Sequence, residues 1–124
     1  YPYGYYFYAI TWNLEGVGDD YRDICKKYMK SKEKVGKKSL EMYKKVNGLF
    51  EDYYKLFYNY SFTGFESLVK KGKSLVNEFY SYIEKCPKKE QYLATHLFFA
   101  LKRINDFWGS TTGAKFQNEK NITI

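Results

Sequence analysis

The sequence predicts an all-α fold: a compact bundle of about four helices, with an aromatic N-terminal arm and one disulfide. Three observations carry this expectation. Between Asp19 and Asn59, the apolar residues Tyr28, Val35, Met42, Leu49 and Leu56 recur every seventh position, a spacing that holds them on one side of a helix. Two later stretches, 65–83 and 93–108, repeat apolar residues at helical intervals. A chain of 124 residues can bury one core but not two, so residues 1–124 are expected to form a single domain.

Residues 1–18 form the arm, with Tyr1, Tyr3, Tyr5, Tyr6, Phe7, Tyr8, Ile10, Trp12 and Leu14 followed by Gly16 and Gly18. Apolar residues at nearly every position show no single period, so the arm fits either an extended segment or a short helix. So many rings cannot all face water. The arm either packs over the bundle or reaches a partner.

Asp19 and Asp20 are placed to open the first helix, where the helix dipole favours carboxylates. Tyr21, Cys25, Val46 and Tyr53 flank its apolar stripe. Gly36 and Gly48 interrupt the run. A straight helix over 20–58 would be about 58 Å long, against a radius of gyration of about 14 Å for a domain this size. A kink or break near Gly36 is therefore expected, giving either two helices or one long kinked helix.

The third helix is expected to start at the capping box Thr63-Gly64-Phe65-Glu66. Its face is Phe65, Leu68, Val69, Leu75, Val76, Phe79 and Ile83, and it ends at Cys86-Pro87, where proline stops a helix. The fourth spans about Lys89 to Trp108 along Leu93, Leu97, Ala100, Leu101, Ile104, Phe107 and Trp108, stopping at Gly109. Phe98 and Phe99 project elsewhere, as a floor for the arm, so this helix should be the most enclosed. Residues 110–124 read as a polar tail.

The chain begins Tyr-Pro-Tyr-Gly without a methionine and carries no stretch apolar enough to span a bilayer. It reads as a processed, secreted product, with no transmembrane segment. Two cysteines, Cys25 and Cys86, then suggest a disulfide. It would close a loop of about 60 residues, worth roughly 4 kcal/mol in the chain-entropy model. A tight up-down hairpin of the first two helices would put these cysteines about 20 Å apart, with Cys25 near a helix start. The expected topology is instead a first helix that continues or obliquely crosses the second. Two sequons, at Asn59 and Asn121, are compatible with secretion.

Net charge is +7, carried mostly by lysine, and aromatics make up 22% of the chain. Lysine suits diffuse anionic surfaces, whereas arginine, scarce here, suits bidentate phosphate recognition. With no reader motif either, a nucleic-acid partner is not expected. His96 is the only histidine, and no spacing gives it metal-ligand partners. It is expected at the core edge, bonded to a carbonyl. Nothing pairs the carboxylates for acid–base work, so the chain reads as a non-enzyme without cofactor or metal.

The partner-binding candidates are Lys26, Lys27, Lys30, Lys34, Lys37 and Lys38, on the face opposite the apolar stripe, and the rings Tyr5, Tyr6, Tyr8 and Trp12. Such a cationic face attracts acidic proteins, sulfated glycans or anionic lipids, though Glu33, Glu41 and Glu51 dilute it and the bland reading is a solvated helix face. Tyrosine and tryptophan are good anchors in protein contacts. A carrier of small hydrophobic ligands is the contrasting possibility and needs a cavity lined by residues such as Tyr28, Phe79, Phe99 and Trp108.

The aromatic start Tyr1-Pro2-Tyr3-Gly4-Tyr5-Tyr6, the block Asp19-Asp20-Tyr21-Arg22-Asp23-Ile24-Cys25, the run Tyr43 to Leu49, the turn Tyr60 to Glu66 and Cys86 together resemble the salivary gland protein seven family of anopheline mosquitoes, with its albicin-like and anophensin-like branches. The resemblance implies a helical saliva protein that blocks host defence. Albicin-like members inhibit the C3 convertase of the alternative complement pathway. Anophensin-like members block contact activation by binding kininogen and factor XII. The expected product is thus a secreted, monomeric inhibitor of a host plasma protein complex, the convertase first and the contact-phase factors second.

Overall fold

The computed structural model describes the backbone of residues 4–30 and 35–122, and the side chains of Tyr8, residues 10–27 and residues 35–107. It is all-helical over these residues: α1 (Gly4–Lys30), α2 (Lys37–Tyr58), α3 (Phe62–Lys85), a 3-10 turn (Lys88–Glu90) and α4 (Gln91–Ile122). The chain does break near Gly36, which caps α2 in an extended conformation. The two sides are not one kinked rod, however. They are separate helices running in opposite directions.

Cross-chain pairs fix the directions. Asp20 of α1 meets both His96 and Arg103 of α4, while Lys27, further along α1, lies over Tyr92; the two helices are antiparallel. In α2, Gly36 meets Glu90 and Tyr53 meets Phe107, so α2 and α4 run parallel. Ser39 meets Tyr82, and Lys45 meets Glu78, so α3 returns antiparallel to α2. The result is an up-down-up-down bundle, the arrangement that the expected disulfide had argued against.

Periodicity explains the core. Met42, Val46, Leu49, Tyr53 and Leu56 are buried at three- and four-residue steps on α2. Leu68, Leu75, Phe79 and Tyr82 face them from α3. On α4, Leu93, Leu97, Ala100, Leu101, Ile104 and Phe107 are buried, and α4 packs on all three other helices. Each fully buried side chain of this size contributes roughly 1.5–3 kcal/mol over leaving it in water.

Three element boundaries differ from the sequence expectation. Residues 4–18 are not a separate arm but the first half of α1, which buries Ile10 and Val17. Asp19 and Asp20 therefore sit inside a helix rather than at its start. The cap of α3 is Ser61, whose Oγ accepts the Gly64 N–H at 3.0 Å, two residues before the capping box read from sequence. Finally, α4 passes Gly109 without stopping and continues over most of the supposed tail. The proline stop at Cys86-Pro87 is observed as expected.

The disulfide is corrected as well. Both cysteines are free, and they are not near each other. Because α1 begins at Gly4, Cys25 lies near its end rather than its start, which puts both thiols toward the same end of the bundle. They are kept apart sideways. Cys25 is exposed on α1 beside Tyr21, Ile24 and Leu40, Cys86 sits in a different cleft beside Tyr82 and Pro87, and Ser39 of α2 lines both clefts.

Candidate partner-binding surface

The alternating topology sorts the chemistry by end. The end of α1, the start of α2, the end of α3 and the 3-10 turn meet at one pole of the bundle. They bring Lys26, Lys27, Lys37, Lys38, Lys85 and Lys88 to it, all exposed. The start of α1, the end of α2 and the start of α3 meet at the opposite pole, where Tyr8, Trp12, Tyr54, Tyr58 and Phe62 are exposed. Of the residues singled out from sequence, Lys26, Lys27, Lys37 and Lys38 share the first pole, and Tyr8 and Trp12 share the second. Tyr5, Tyr6, Lys30 and Lys34 lie outside the described side chains.

At the lysine pole, Lys37, Lys38 and Lys85 border a cleft of about 530 Å³ that also includes Ser81, Tyr82, Cys86 and Glu90. Two polar contacts hold its walls. The buried Glu90 carboxylate accepts the Gly36 N–H at 2.8 Å, tying the cap of α2 to the approach of α4. Ser39 and Tyr82 share a buried hydroxyl pair at 2.5 Å. Burial, and then the Glu90 charge, push the Cys86 thiol above its ordinary range, so at neutral pH it stays protonated and a poor nucleophile.

Some lysines are already engaged. Glu78 accepts from Lys45 at 2.5 Å and lies 3.4 Å from Lys38, while Glu41 bridges the same two lysines at 3.2 and 3.5 Å. The hydrogen bond from Lys45 holds the Glu78 carboxyl below its ordinary value and raises Lys45 in turn. Lys27 covers the Tyr92 ring at 4.3 Å, a cation–π contact. Lys26, Lys37, Lys85 and Lys88 make no ion pair among the described residues.

The aromatic pole is a set of mutually supporting rings. Tyr54 and Tyr58 stand 5.0 Å apart between centroids, Phe57 meets Tyr58 edge-on at 5.4 Å, and Phe65 lies 6.4 Å from both Tyr60 and Phe62. Phe107, completely buried, supports this end from below through Phe50 and Tyr53. Tyr58 and Phe62 keep about two thirds of their surface in water. Rings held by their neighbours lose little entropy when a partner covers them.

Between the poles, the α1–α4 seam contains a polar knot. The buried Asp20 carboxylate accepts from Arg103 Nε at 3.1 Å, and His96 Nδ1 lies 3.5 Å from its other oxygen. His96 thus faces a carboxylate rather than the carbonyl expected from sequence, and stacks on Tyr92 at 4.3 Å. Gly16 makes the knot possible: a Cβ there would stand 2.3–2.8 Å from the Arg103 side chain. Nearby, the Tyr21 hydroxyl donates to Asn47 Oδ1 at 2.6 Å, and its pKa is pushed far up by burial, then by Tyr43 and Asp20.

No group of three His, Cys, Asp or Glu residues is arranged to hold a metal among the described residues, and no described helix is long and apolar enough to cross a membrane. Of the rings proposed to line a carrier cavity, Phe79 is sealed against Tyr82 and Phe98, while Phe99 faces outward. Tyr28 and Trp108 lie outside the described side chains. Phe98 rests on Phe79 and Tyr80 of α3, so it is not a floor for α1.

Sequence reading missed Lys85 and Lys88 at the cationic pole and Tyr54, Tyr58 and Phe62 at the aromatic one. The signal was present in each case, as rings off the apolar stripe and lysines at a helix end, but their convergence depends on topology. Compared with protein-family models, curated proteins and solved structures, the chain matches none.

Proposed function

We propose that this chain is a secreted, non-enzymatic salivary inhibitor of host defence that binds the C3 convertase of the alternative complement pathway and blocks it stoichiometrically. The aromatic pole makes the contact. Trp12, Tyr58 and Phe62 seat in apolar recesses of the target, and Tyr8 and Tyr54 frame them. The observation that carries this reading is the gathering of five large exposed rings at one end of a close-packed bundle, since tyrosine and tryptophan dominate the energetics of protein contacts. The choice of target follows from the sequence resemblance to the salivary family.

The test is lysis of erythrocytes in serum where only the alternative pathway can act. Micromolar protein should suppress lysis with near one-to-one dependence on convertase. Full lysis at that concentration would refute the assignment.

A further inference from the structure

We propose that the lysine pole is a second, independent binding site for a linear sulfated polysaccharide. It goes beyond convertase inhibition and does not depend on it. The fold brings Lys37 and Lys38 of α2 and Lys85 of α3, far apart in sequence, to one cleft, with Lys88 in the adjoining 3-10 turn and Lys26 and Lys27 of α1 at the same end of the bundle. Most acids at this end are already engaged, two of them with Lys38 itself. Glu90 is buried on the Gly36 N–H, Glu41 and Glu78 hold Lys38 and Lys45, and Asp23 pairs with Arg22. Glu84 is left as an exposed acid on α3. Positive charge at this end therefore exceeds negative, which attracts polyanions.

The shape and chemistry of the cleft select among anions. It is about 530 Å³, bordered by Lys37, Lys38 and Lys85, with the Ser81 hydroxyl in its wall and two carboxylates, Glu78 and Glu90, already bonded to Lys45 and to the Gly36 N–H. This combines ammonium heads for sulfates and carboxylates with a hydroxyl for sugar oxygens. Lysine forms compact point-charge contacts with such groups without the planar geometry that arginine needs. A bilayer would require apolar side chains to enter it. Here the large exposed ones are Leu40 and, further along α3, Tyr80, whose ring leans on Phe98. Single-stranded nucleic acid would require rings on which bases stack, and the main set of exposed rings is at the opposite pole.

Heparin is the probe. Titrated with heparin oligosaccharides at 0.15 M salt, the intact protein should bind, and affinity should fall steeply as salt rises. Replacing Lys37, Lys85 and Lys88 together by Gln should weaken binding at least tenfold. The charge-matched variant Lys55→Gln, Lys70→Gln, Lys73→Gln, away from this pole, should stay within twofold, with both variants melting like the parent. Desulfated heparin should not bind. Equal loss in the two triple variants, or tighter binding to phosphatidylserine vesicles or to DNA than to heparin, would overturn the site. Inhibition of lysis by the Lys37/Lys85/Lys88 variant should be unchanged, so failure of the convertase reading and failure of this one are read separately.

Discussion

At one end of this bundle α1, α2, α3 and the 3-10 turn carry exposed lysines, and at the other α1, α2 and α3 carry exposed rings, while a single close-packed apolar layer joins the two. The difference shows where sequence is constrained and where it is free. Between the poles, burial leaves little choice: Met42, Val46, Leu97 and Leu101 are fully buried, and a change of one methylene would be felt. At the poles, helix ends project side chains that the core does not require. Lysine heads remain hydrated there at little cost. A cluster of exposed rings is different, because apolar surface left in water promotes association unless a partner covers it. The two ends thus present two separate surfaces, one cationic and one aromatic.

The aromatic pole is most vulnerable from beneath. Phe107→Ala removes the buried ring under Phe50 and Tyr53 and should cost about 3–5 kcal/mol of stability. Chemical denaturation would measure it, and target binding should weaken as the rings above lose support. Surface truncation is cleaner. Trp12→Ala and Tyr58→Ala should each cost roughly 2 kcal/mol of binding, about thirtyfold in Kd, with melting temperature unchanged.

The aromatic pole also depends on the seam between α1 and α4, which holds the rings of α1 in place. Gly16→Ala should destabilise by about 1 kcal/mol or more despite the better helix propensity of alanine. Its new methyl pushes Arg103 off the buried Asp20. Gly18→Ala meets nothing within 4 Å and should instead stabilise by up to about 1 kcal/mol. Thermal melts of the pair give opposite signs if the knot matters.

The smallest effect is expected near the lysine pole. The Glu78 carboxyl is held below its ordinary value of 4.5 by Lys45. Its contribution is therefore present above that pH and is lost as pH falls through the lowered value. Glu78→Gln should flatten this acid-side loss by less than about 1 kcal/mol, because the pair is partly solvated. Thiol labelling offers a separate check: Cys25 should react with maleimide within minutes, and Cys86, partly buried with a raised pKa, more slowly.

Much of the core was legible because its periods are clean. Met42, Leu49 and Leu56 on α2, and Leu93, Leu97, Leu101 and Ile104 on α4, follow helical spacing closely. The first eighteen residues hid their helix for the opposite reason, since rings at almost every position mask any period. The same masked helix start bears on the cysteines: by sequence Cys25 reads as near a helix start, whereas its helix ends five residues later, at Lys30. The Asp20–Arg103 pair spans 83 residues, and no local pattern links its members. Likewise Lys85 and Lys88 join Lys37 and Lys38 only after α3 has turned back. Faces could be read from sequence, but poles required the topology.

The decisive experiment is binding of immobilised, assembled alternative-pathway convertase to three proteins: the parent, a Trp12→Ala/Tyr58→Ala variant, and the Lys37/Lys85/Lys88→Gln variant. Expected are tight binding by the parent, near-complete loss in the ring variant, and unchanged binding in the lysine variant. No binding by the parent, or equal weakening in both variants, would contradict convertase binding through the aromatic pole.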